Sequence, residues 1–204
     1  MSIPSRRKVV DAKDHLLGRL AEAVSKELLS GGRIDVVRCE EISISGPINR
    51  NRAVFMDYLH KRHLTNPTRG HFHYRSPSRM LYKAIRGMIP YKTERGAAAL
   101  RNLRVFEGVP NKLVKTKRVC VPAALRAARL RPGASITRLG NLSASVGWKQ
   151  AAVVSSLEKK RKLASVLYFR KKQQKLKLWK QAESKVAEGA EFKKIQQQLA
   201  ALGY

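Results

Sequence analysis

The sign of the charge along this chain is its most constraining feature. Residues 108–157 contain no Asp or Glu but nine lysines and arginines, and residues 42–106 contain thirteen against only Asp57 and Glu94. Like charges repel one another and destabilise a compact state, so chains that use charge only for solubility mix both signs. The net charge of +29 on 204 residues therefore predicts a polyanionic partner, with nucleic acid as the leading candidate.

Composition excludes several other classes of protein. Hydrophobic residues make up 43% of the chain, enough to build a core, so the chain is not a wholly disordered basic tail. The first residues lack the apolar segment of a signal peptide, and no stretch approaches the about 18 apolar residues of a membrane span. Cys39 and Cys120 lie far apart without metal-binding spacing, which predicts two reduced, buried thiols.

The N-terminal half alternates strand and helix patterns. Residues 8–12 predict a strand, and a helix with Leu17, Leu20, Val24 and Leu28 on its apolar face follows, with Asp14 as its N-cap. Residues 34–40 and 42–46 are two further β-branched runs. A strand, a helix and a strand at this spacing form a βαβ unit, which predicts parallel pairing. Further helices are expected at about 50–63, from about 76 to 85, and at about 95–103.

The predicted fold class is therefore α/β, with a small, mainly parallel sheet flanked by helices and a long basic helical C-terminal extension. We place the α/β core at residues 1–118 and the extension at residues 119–204, mostly helical from about residue 147. Residues 158–185 hold eleven lysines and arginines against two glutamates. Like charges at i,i+4 destabilise a helix, so this segment should need phosphate or a partner surface to be fully ordered.

Residues 69–79, RGHFHYRSPSR, form the strongest local cluster of candidate binding residues. Guanidinium groups make bidentate contacts with phosphate, and flat rings stack on unpaired bases. For Phe72 and Tyr74, packing into the core is an equally open alternative. The candidate RNA-binding residues of this cluster are Arg69, His71, His73, Tyr74, Arg75 and Arg79.

Basic residues on the neighbouring predicted helices and on the extension complete the set of candidates from charge. Those of the core are Arg50, Arg52, Arg62 and Lys83. Those of the extension are Lys149, Lys159, Lys160, Arg161, Lys162, Arg170, Lys171 and Lys172. The run at 159–162 also fits a nuclear-import signal, which is a weak motif.

Nothing in the sequence assembles an enzyme. The βαβ unit has no G-x-G-x-x-G, there is no Walker A motif or G-x-S-x-G, and carboxylates are scarce beyond residue 41. Four histidines at 60, 63, 71 and 73 could suit zinc by spacing, but heavy positive charge surrounds them, and contacts with RNA or a position at the surface are the favoured alternatives. We expect no cofactor, no metal, no small-molecule substrate and no membrane partner.

Three motifs in the same order resemble the large-subunit ribosomal protein family number thirteen. They are VVDAxxxxLGRLA at 9–21, ISISG at 42–46, and RGMIPYKTERGAAALRNLRVFEG at 86–108. The segments NPxRG, RxPSR, VPAAL and VGWK, between residues 66 and 149, are similar to the longer eukaryotic form, thirteen-a. Bacterial members are shorter and lack the basic helical extension.

The resemblance implies an α/β core docked on large-subunit rRNA, neighbouring ribosomal proteins as further partners, and no catalytic activity. It implies a cytosolic ribosome as the location, with assembly in the nucleolus. By position, an RNA-facing loop would include Arg86, Gly87, Met88, Pro90, Lys92, Arg95 and Gly96, with Met88 and Pro90 expected to shape the loop instead of contacting RNA. With about ten phosphate contacts, the logarithm of the affinity should fall against the logarithm of the salt concentration with a slope of roughly −9. The competing hypothesis is a free RNA-binding translational regulator that uses the same arginines outside the ribosome.

Overall fold

The protein, described by a computed structural model over residues 7–203, divides into two compact units, residues 7–155 and residues 156–203. The strands are β1 (Lys8–Asp11), β2 (Ile34–Val37), β3 (Ser43–Ser45), β4 (Leu103–Val105), β5 (Arg118–Val119) and β6 (Ile136–Arg138). The helices are α1 (Leu17–Leu29), α2 (Ile48–His60), α3 (Pro77–Met88), α4 (Glu94–Arg101), α5 (Arg126–Arg129), α6 (Leu139–Ser145), α7 (Ala151–Glu188) and α8 (Ala190–Ala201).

A four-stranded parallel sheet lies at the centre of the first unit. Its strand order is β4-β2-β1-β5, and every neighbouring pair runs parallel. Val10 of β1 lies opposite Val36 of β2 on one side and Val119 of β5 on the other. The β1–α1–β2 unit expected from the sequence is confirmed, and so is the α/β class with a mainly parallel sheet flanked by helices.

The hydrophobic core forms where α1 and α3 pack together beside the sheet. Leu20, Val24 and Leu28 of α1 are buried at i, i+4 and i+8, which is the spacing of one helical face. Leu81 and Ile85 of α3, four residues apart, are fully buried in the same cluster. The opposite face of α3 is consequently directed away from the core.

The start of α1 differs from the expectation that Asp14 caps it. The helix begins at Leu17, its N-cap residue is Leu16, and no side chain caps it. Asp14 instead has a left-handed backbone (φ 56°), its N–H donates to Glu41, and its carbonyl accepts from Arg126 N–H at 2.9 Å. An aspartate tolerates this conformation better than most residues, so Asp14 holds three segments together instead of starting a helix.

A two-stranded antiparallel sheet extends the core toward the C-terminus. In it, β3 pairs with β6, with Ile44 opposite Thr137. Leu139 and Leu142 of the adjacent α6 are buried in the main hydrophobic cluster. Residues 119–146, which the sequence analysis placed in the extension, thus contribute α5, β6 and α6 to the first unit.

The second unit is helical and highly exposed. The 38-residue α7 begins in the first unit and continues through the second, and α8 follows Gly189. The long basic C-terminal helix expected from the sequence is confirmed. Among residues 7–203, no helix combines the length and the apolarity that a bilayer crossing requires.

The two cysteines have opposite surroundings. Burial raises the pKa of the Cys39 thiol well above its ordinary value, and the nearby Glu107 and Glu40 raise it further. Cys39 is therefore an unreactive core thiol. Cys120 is exposed, which corrects the expectation that both cysteines are buried, and both are free. The exposure follows from the position of Cys120 directly after the short edge strand β5.

An ion pair fixes the end of β1. Arg38 has a left-handed backbone (φ 58°), and its guanidinium donates to both carboxylate oxygens of Asp11, with an Nε–Oδ1 distance of 2.8 Å. Burial by itself raises the pKa of Asp11. The hydrogen bonds and charge of Arg38, the Lys13 N–H and the charge of Arg118 outweigh burial, so the pKa of Asp11 is lowered.

Replacing Asp11 by Asn is expected to lower the free energy of unfolding by about 2–3 kcal/mol at neutral pH, because it leaves Arg38 without its charged partner in a half-buried site. The folded-state pKa is below the ordinary 3.8, so this stabilisation is fully present above that value and is lost as the pH falls through the lower folded pKa. Urea unfolding at neutral and strongly acidic pH measures both effects.

Glu27→Gln is the matched control for Asp11→Asn, since it breaks the exposed pair of Glu27 with Lys8 (2.6 Å). An exposed pair contributes less than about 1 kcal/mol. Equal losses in the two variants at neutral pH would contradict the role assigned to Asp11.

Candidate nucleic-acid interface

A line of three cations runs along the side of α3 that faces away from the core. Arg79, Lys83 and Arg86 are spaced i, i+4 and i+7, so one helical face carries them, and we call them the α3 stripe. The buried positions of α3 are Pro77, Ser78, Leu81 and Ile85. Packing of those residues against α1 therefore fixes the direction in which the stripe points.

Each cation of the α3 stripe lies over an aromatic ring. The Lys83 ammonium is 3.8 Å from the centre of the Tyr58 ring, and the Arg86 guanidinium is 3.9 Å from that of Tyr91. Arg79 lies between Tyr74 at 5.8 Å and Tyr82 at 5.9 Å. A ring face attracts a cation without neutralising its charge, so these contacts orient the stripe and leave its charge available.

Aromatic residues from α2 and the following loop meet beside the stripe. Phe55 and Tyr58 pack edge to face at 5.7 Å, and Tyr58 and His73 do so at 4.5 Å. The Tyr58 hydroxyl donates to the Phe72 carbonyl at 3.0 Å, which ties the loop to α2. We call Phe55, Tyr58, His73 and Tyr74 the ring cluster.

An open apolar cavity of about 520 Å³ lies between α2, α3 and α6. Phe55, Tyr58 and Tyr74 of the ring cluster line it, together with Lys83 of the stripe. The ring nitrogen Nε2 of His73 is buried and has no hydrogen-bond partner among residues 7–203. The surface thus combines aromatic faces, an apolar recess and cations within a short distance.

The cations of the α3 stripe form no ion pair within the described residues. Ion pairs within the described residues involve Arg7, Lys8, Lys13, Arg38, Arg118, Arg138 and Arg161, and no carboxylate lies within 4.0 Å of any cation of the α3 stripe. Burial lowers the pKa of Lys83, and the charge of Arg86 lowers it further. A bound anion would offset both effects, because it favours the charged form of the lysine.

The segment between α3 and α4 is held by a network of short contacts. Thr93 caps α4, since its hydroxyl accepts from the Gly96 N–H at 3.2 Å, and the same hydroxyl donates to the Pro90 carbonyl at 2.7 Å. Gly96 is buried against this turn. A Cβ atom on Gly96 would lie 2.0 Å from the Pro90 oxygen, so only glycine fits.

The structure places nearly all of the predicted binding residues at the surface. In the first unit, the exposed ones are Arg50, Arg52, Arg62, Arg69, His71, Tyr74, Arg75, Arg79, Arg86, Lys92, Arg95 and Lys149. In the second unit, they are Lys159, Lys160, Lys162, Arg170, Lys171 and Lys172. His73, Lys83 and Arg161 are partly buried.

The predicted residues do not all belong to one cluster. His73, Tyr74, Arg79, Lys83 and Arg86 share the ring contacts described above. Arg161 donates two hydrogen bonds to Glu158, at 2.8 and 2.7 Å, so a carboxylate already holds its guanidinium.

Two alternatives left open by the sequence have a structural answer. Phe72 is 70% exposed and Tyr74 is 41% exposed, so neither ring belongs to the core. The histidines do not gather into a metal site: within residues 7–203, no three His, Cys, Asp or Glu side chains form a group that could hold an ion. His63 Nδ1 instead accepts from the Asn66 N–H at 3.1 Å.

Sequence reasoning missed three tyrosines that position the stripe, namely Tyr58, Tyr82 and Tyr91 as cation partners. One of these contacts could have been predicted from the sequence, because Arg79 and Tyr82 are three residues apart on a helix and therefore lie on the same face. The pairing of Tyr58 with Lys83 joins two helices distant in sequence, and no local pattern encodes it.

Comparisons with known proteins agree with the motifs. A family model described as Ribosomal protein L13 matches residues 6–112. The chain is 48% identical over 194 residues to the large ribosomal subunit protein uL13 of Drosophila melanogaster. That alignment covers 95% of each chain, including the basic helical extension.

Proposed function

The chain belongs to the ribosomal protein L13 family, and we propose that it binds and stabilises large-subunit rRNA through the α3 stripe and the ring cluster. Family membership gives it a structural role in the large ribosomal subunit and no catalytic one. The protein would then support translation by stabilising the structure of the large subunit. Residues 7–155 would fix the position of the protein on the rRNA, and residues 156–203 would neutralise phosphate groups.

The observation that carries the proposal is the α3 stripe, whose three cations rest on rings and have no carboxylate within 4.0 Å among residues 7–203. Cations that serve folding are paired with carboxylates, as Arg38 is with Asp11. Cations that are held in place by rings but are not neutralised by a carboxylate are available to bind an external anion. The guanidinium groups at the two ends of the stripe match the geometry of phosphate oxygens, and the lysine between them acts as a point charge.

The ring cluster supports RNA over a duplex DNA partner. Sequence-specific RNA recognition uses unpaired bases that stack on aromatic or guanidinium planes, and an intact duplex offers no such bases. Tyr74 is exposed and lines the apolar cavity, which gives an unstacked base both a ring face and a recess.

The C-terminal unit would neutralise phosphate and contact neighbouring large-subunit proteins. Its basic residues are interleaved with exposed large apolar ones, such as Leu167, Phe169 and Trp179. Exposed apolar side chains of this size are typical of surfaces covered by a partner. We extend the proposal to location: cytosolic ribosomes, reached after assembly in the nucleolus.

Sedimentation of tagged protein from cell lysate through a sucrose gradient, at moderate and then high salt, tests the proposal. We expect co-migration with large subunits and polysomes that persists at high salt. Protein that stays at the top of the gradient, or that sediments only at low salt, would instead favour a free RNA-binding regulator.

Replacing Lys159, Lys160 and Lys162 by alanine is expected to weaken RNA binding and to reduce the magnitude of the salt slope by about three, with little dependence on RNA sequence. All three are exposed, and Arg161 is kept because it holds Glu158. Binding of full-length protein to large-subunit rRNA over a series of salt concentrations gives the slope. An unchanged slope would mean that this part of α7 does not face RNA.

A further inference from the structure

A second cavity of about 520 Å³ opens at the carboxyl end of β1 and alongside β5, and none of the candidate residues from the sequence lines it. Its polar lining consists mainly of Asp11, Lys13, Arg38, Lys117 and Arg118. Asp11 ends β1 and Lys13 follows it, Arg38 follows β2, and Lys117 and Arg118 lie at the start of β5, and the sheet brings these strands side by side. We call this cavity the strand-end crevice.

The place of the strand-end crevice in the fold is one where ligands bind in other open parallel sheets. The chain leaves β1 toward β2 on one side, and the later strand β5 is added on the other side. The strand order therefore changes direction at β1. In open α/β sheets, ligands bind outside the carboxyl ends of the strands at such a switch point.

The charge of the crevice favours an anion. Four cations line it against the single carboxylate of Asp11, and Arg38 already binds both oxygens of that carboxylate. Arg118 approaches the same carboxylate only to 3.8 Å. Its Nη1 atom is buried and has no hydrogen-bond partner among residues 7–203. A buried donor without an acceptor is costly, so the described residues leave this guanidinium with unused hydrogen-bonding capacity.

The walls of the crevice are held rigid by His15. This residue is 1% exposed, and its Nδ1 pairs with the Lys13 carbonyl at 2.8 Å. Its Nε2 accepts from the Val121 N–H at 3.0 Å, so the tautomer carries its proton on Nδ1. The ring thereby links the segment after β1 to the segment after β5, and it presets the spacing between Lys13 and Arg118.

We propose that the strand-end crevice binds a phosphate group, with Arg118 as the guanidinium donor and Lys13 and Lys117 as point charges at the mouth. The phosphate can belong to the RNA backbone or to a small phosphate compound, and the chemistry of the site is the same in both cases. If the group belongs to rRNA, the crevice is a second contact that extends the proposed function.

Lysine acetylation of the full-length protein, read residue by residue by mass spectrometry, tests this proposal. The probes are inorganic phosphate, with chloride at equal ionic strength as reference, and large-subunit rRNA. We expect protection of Lys13 and Lys117 in the wild type and its loss in Arg118→Gln. Lys112 and Lys115 lie on the same segment but do not line the crevice, so they report general coverage by RNA.

The two probes separate the sources of the phosphate. Protection by both inorganic phosphate and rRNA indicates a site for any phosphate group, and protection by rRNA alone indicates a backbone phosphodiester. Equal reactivity of Lys13 and Lys117 in wild type and Arg118→Gln with both probes would overturn the proposal.

Lys117→Gln keeps the experiment interpretable if Arg118→Gln fails to fold, because Lys117 is exposed and makes no ion pair within residues 7–203. It should reduce the magnitude of the salt slope of rRNA binding by about one if the phosphate is that of RNA. The proposed function is tested separately by the sedimentation of the wild-type protein with large subunits, because that result does not depend on the crevice.

Discussion

Replacing Gly96 by alanine is expected to lower the free energy of unfolding by about 3 kcal/mol or more, because the new methyl group overlaps backbone atoms. A Cβ at this position would lie 2.0 Å from the Pro90 oxygen and 2.5 Å from the Pro90 carbon. These atoms belong to the main chain, so no side-chain rotation can relieve the overlap. The turn before α4 would have to open, and the Thr93 hydrogen bonds to Pro90 and Gly96 would be lost with it.

Gly87→Ala is the matched control for Gly96→Ala. Gly87 also lies in a helix, α3, and among residues 7–203 a Cβ there would have no heavy atom within 4 Å apart from its chain neighbours and the backbone of its own helix. Alanine should therefore stabilise α3 by about 0.5–1 kcal/mol. Urea unfolding of the two variants, followed by circular dichroism, measures the difference. A Gly96→Ala protein as stable as the wild type would contradict the close packing at this turn.

Replacing all three cations of the α3 stripe by glutamine should weaken binding to large-subunit rRNA by roughly a hundredfold or more and reduce the magnitude of the salt slope by about three. The reason is that Arg79, Lys83 and Arg86 are held on rings, so they lose less side-chain freedom on meeting phosphate than mobile lysines do. The stripe points away from the core, and we expect the free energy of unfolding to change little.

The control for the stripe removes the same charge elsewhere. Arg19, Lys26 and Arg33 are exposed, and none is in an ion pair or over a ring in the part of the chain that the structure describes. Their replacement by glutamine lowers the net charge by the same amount, so it measures the general effect of charge. If the two triple variants bound RNA equally, the stripe would be no more than three surface cations.

A further comparison separates the ring of Tyr58 from its hydroxyl. Tyr58→Phe removes only the hydrogen bond to the Phe72 carbonyl, whereas Tyr58→Ala also removes the ring beneath Lys83. A contribution from the ring cluster predicts weaker rRNA binding in the alanine variant than in the phenylalanine variant.

The periodic parts of the fold were predictable from the sequence. The apolar spacing of Leu20, Val24 and Leu28 predicted α1, and the strand patterns at 8–12 and 34–40 on either side of it predicted a parallel pair. Local periodicity carries this information because each element must bury one face. The predicted start of α1 was wrong. Asp14 has the side chain of a typical capping residue, but its backbone forms hydrogen bonds with Glu41 and Arg126, which are distant in sequence.

The sequence predicted which residue types form the candidate interface, but it did not predict how these residues are arranged in space. Charge imbalance identified the arginines of residues 69–79 as candidates, and the structure places them at the surface. The contact of Lys83 with Tyr58 depends on the packing of α2 beside α3, and the crevice depends on the pairing of β1 with β5. Both are long-range consequences of the fold, and neither leaves a local pattern in the sequence.

The position of β5 has a consequence for the order of events during synthesis. The pairing of Val10 with Val119 joins the start of the chain to a segment translated much later. At about 5–20 residues per second, the outer edge of β1 stays open for roughly 5–20 s after β1 has emerged. An open strand edge is a template for pairing with other chains. Nascent or truncated chains that end before residue 118 therefore carry an aggregation-prone edge, which the completed protein covers with β5.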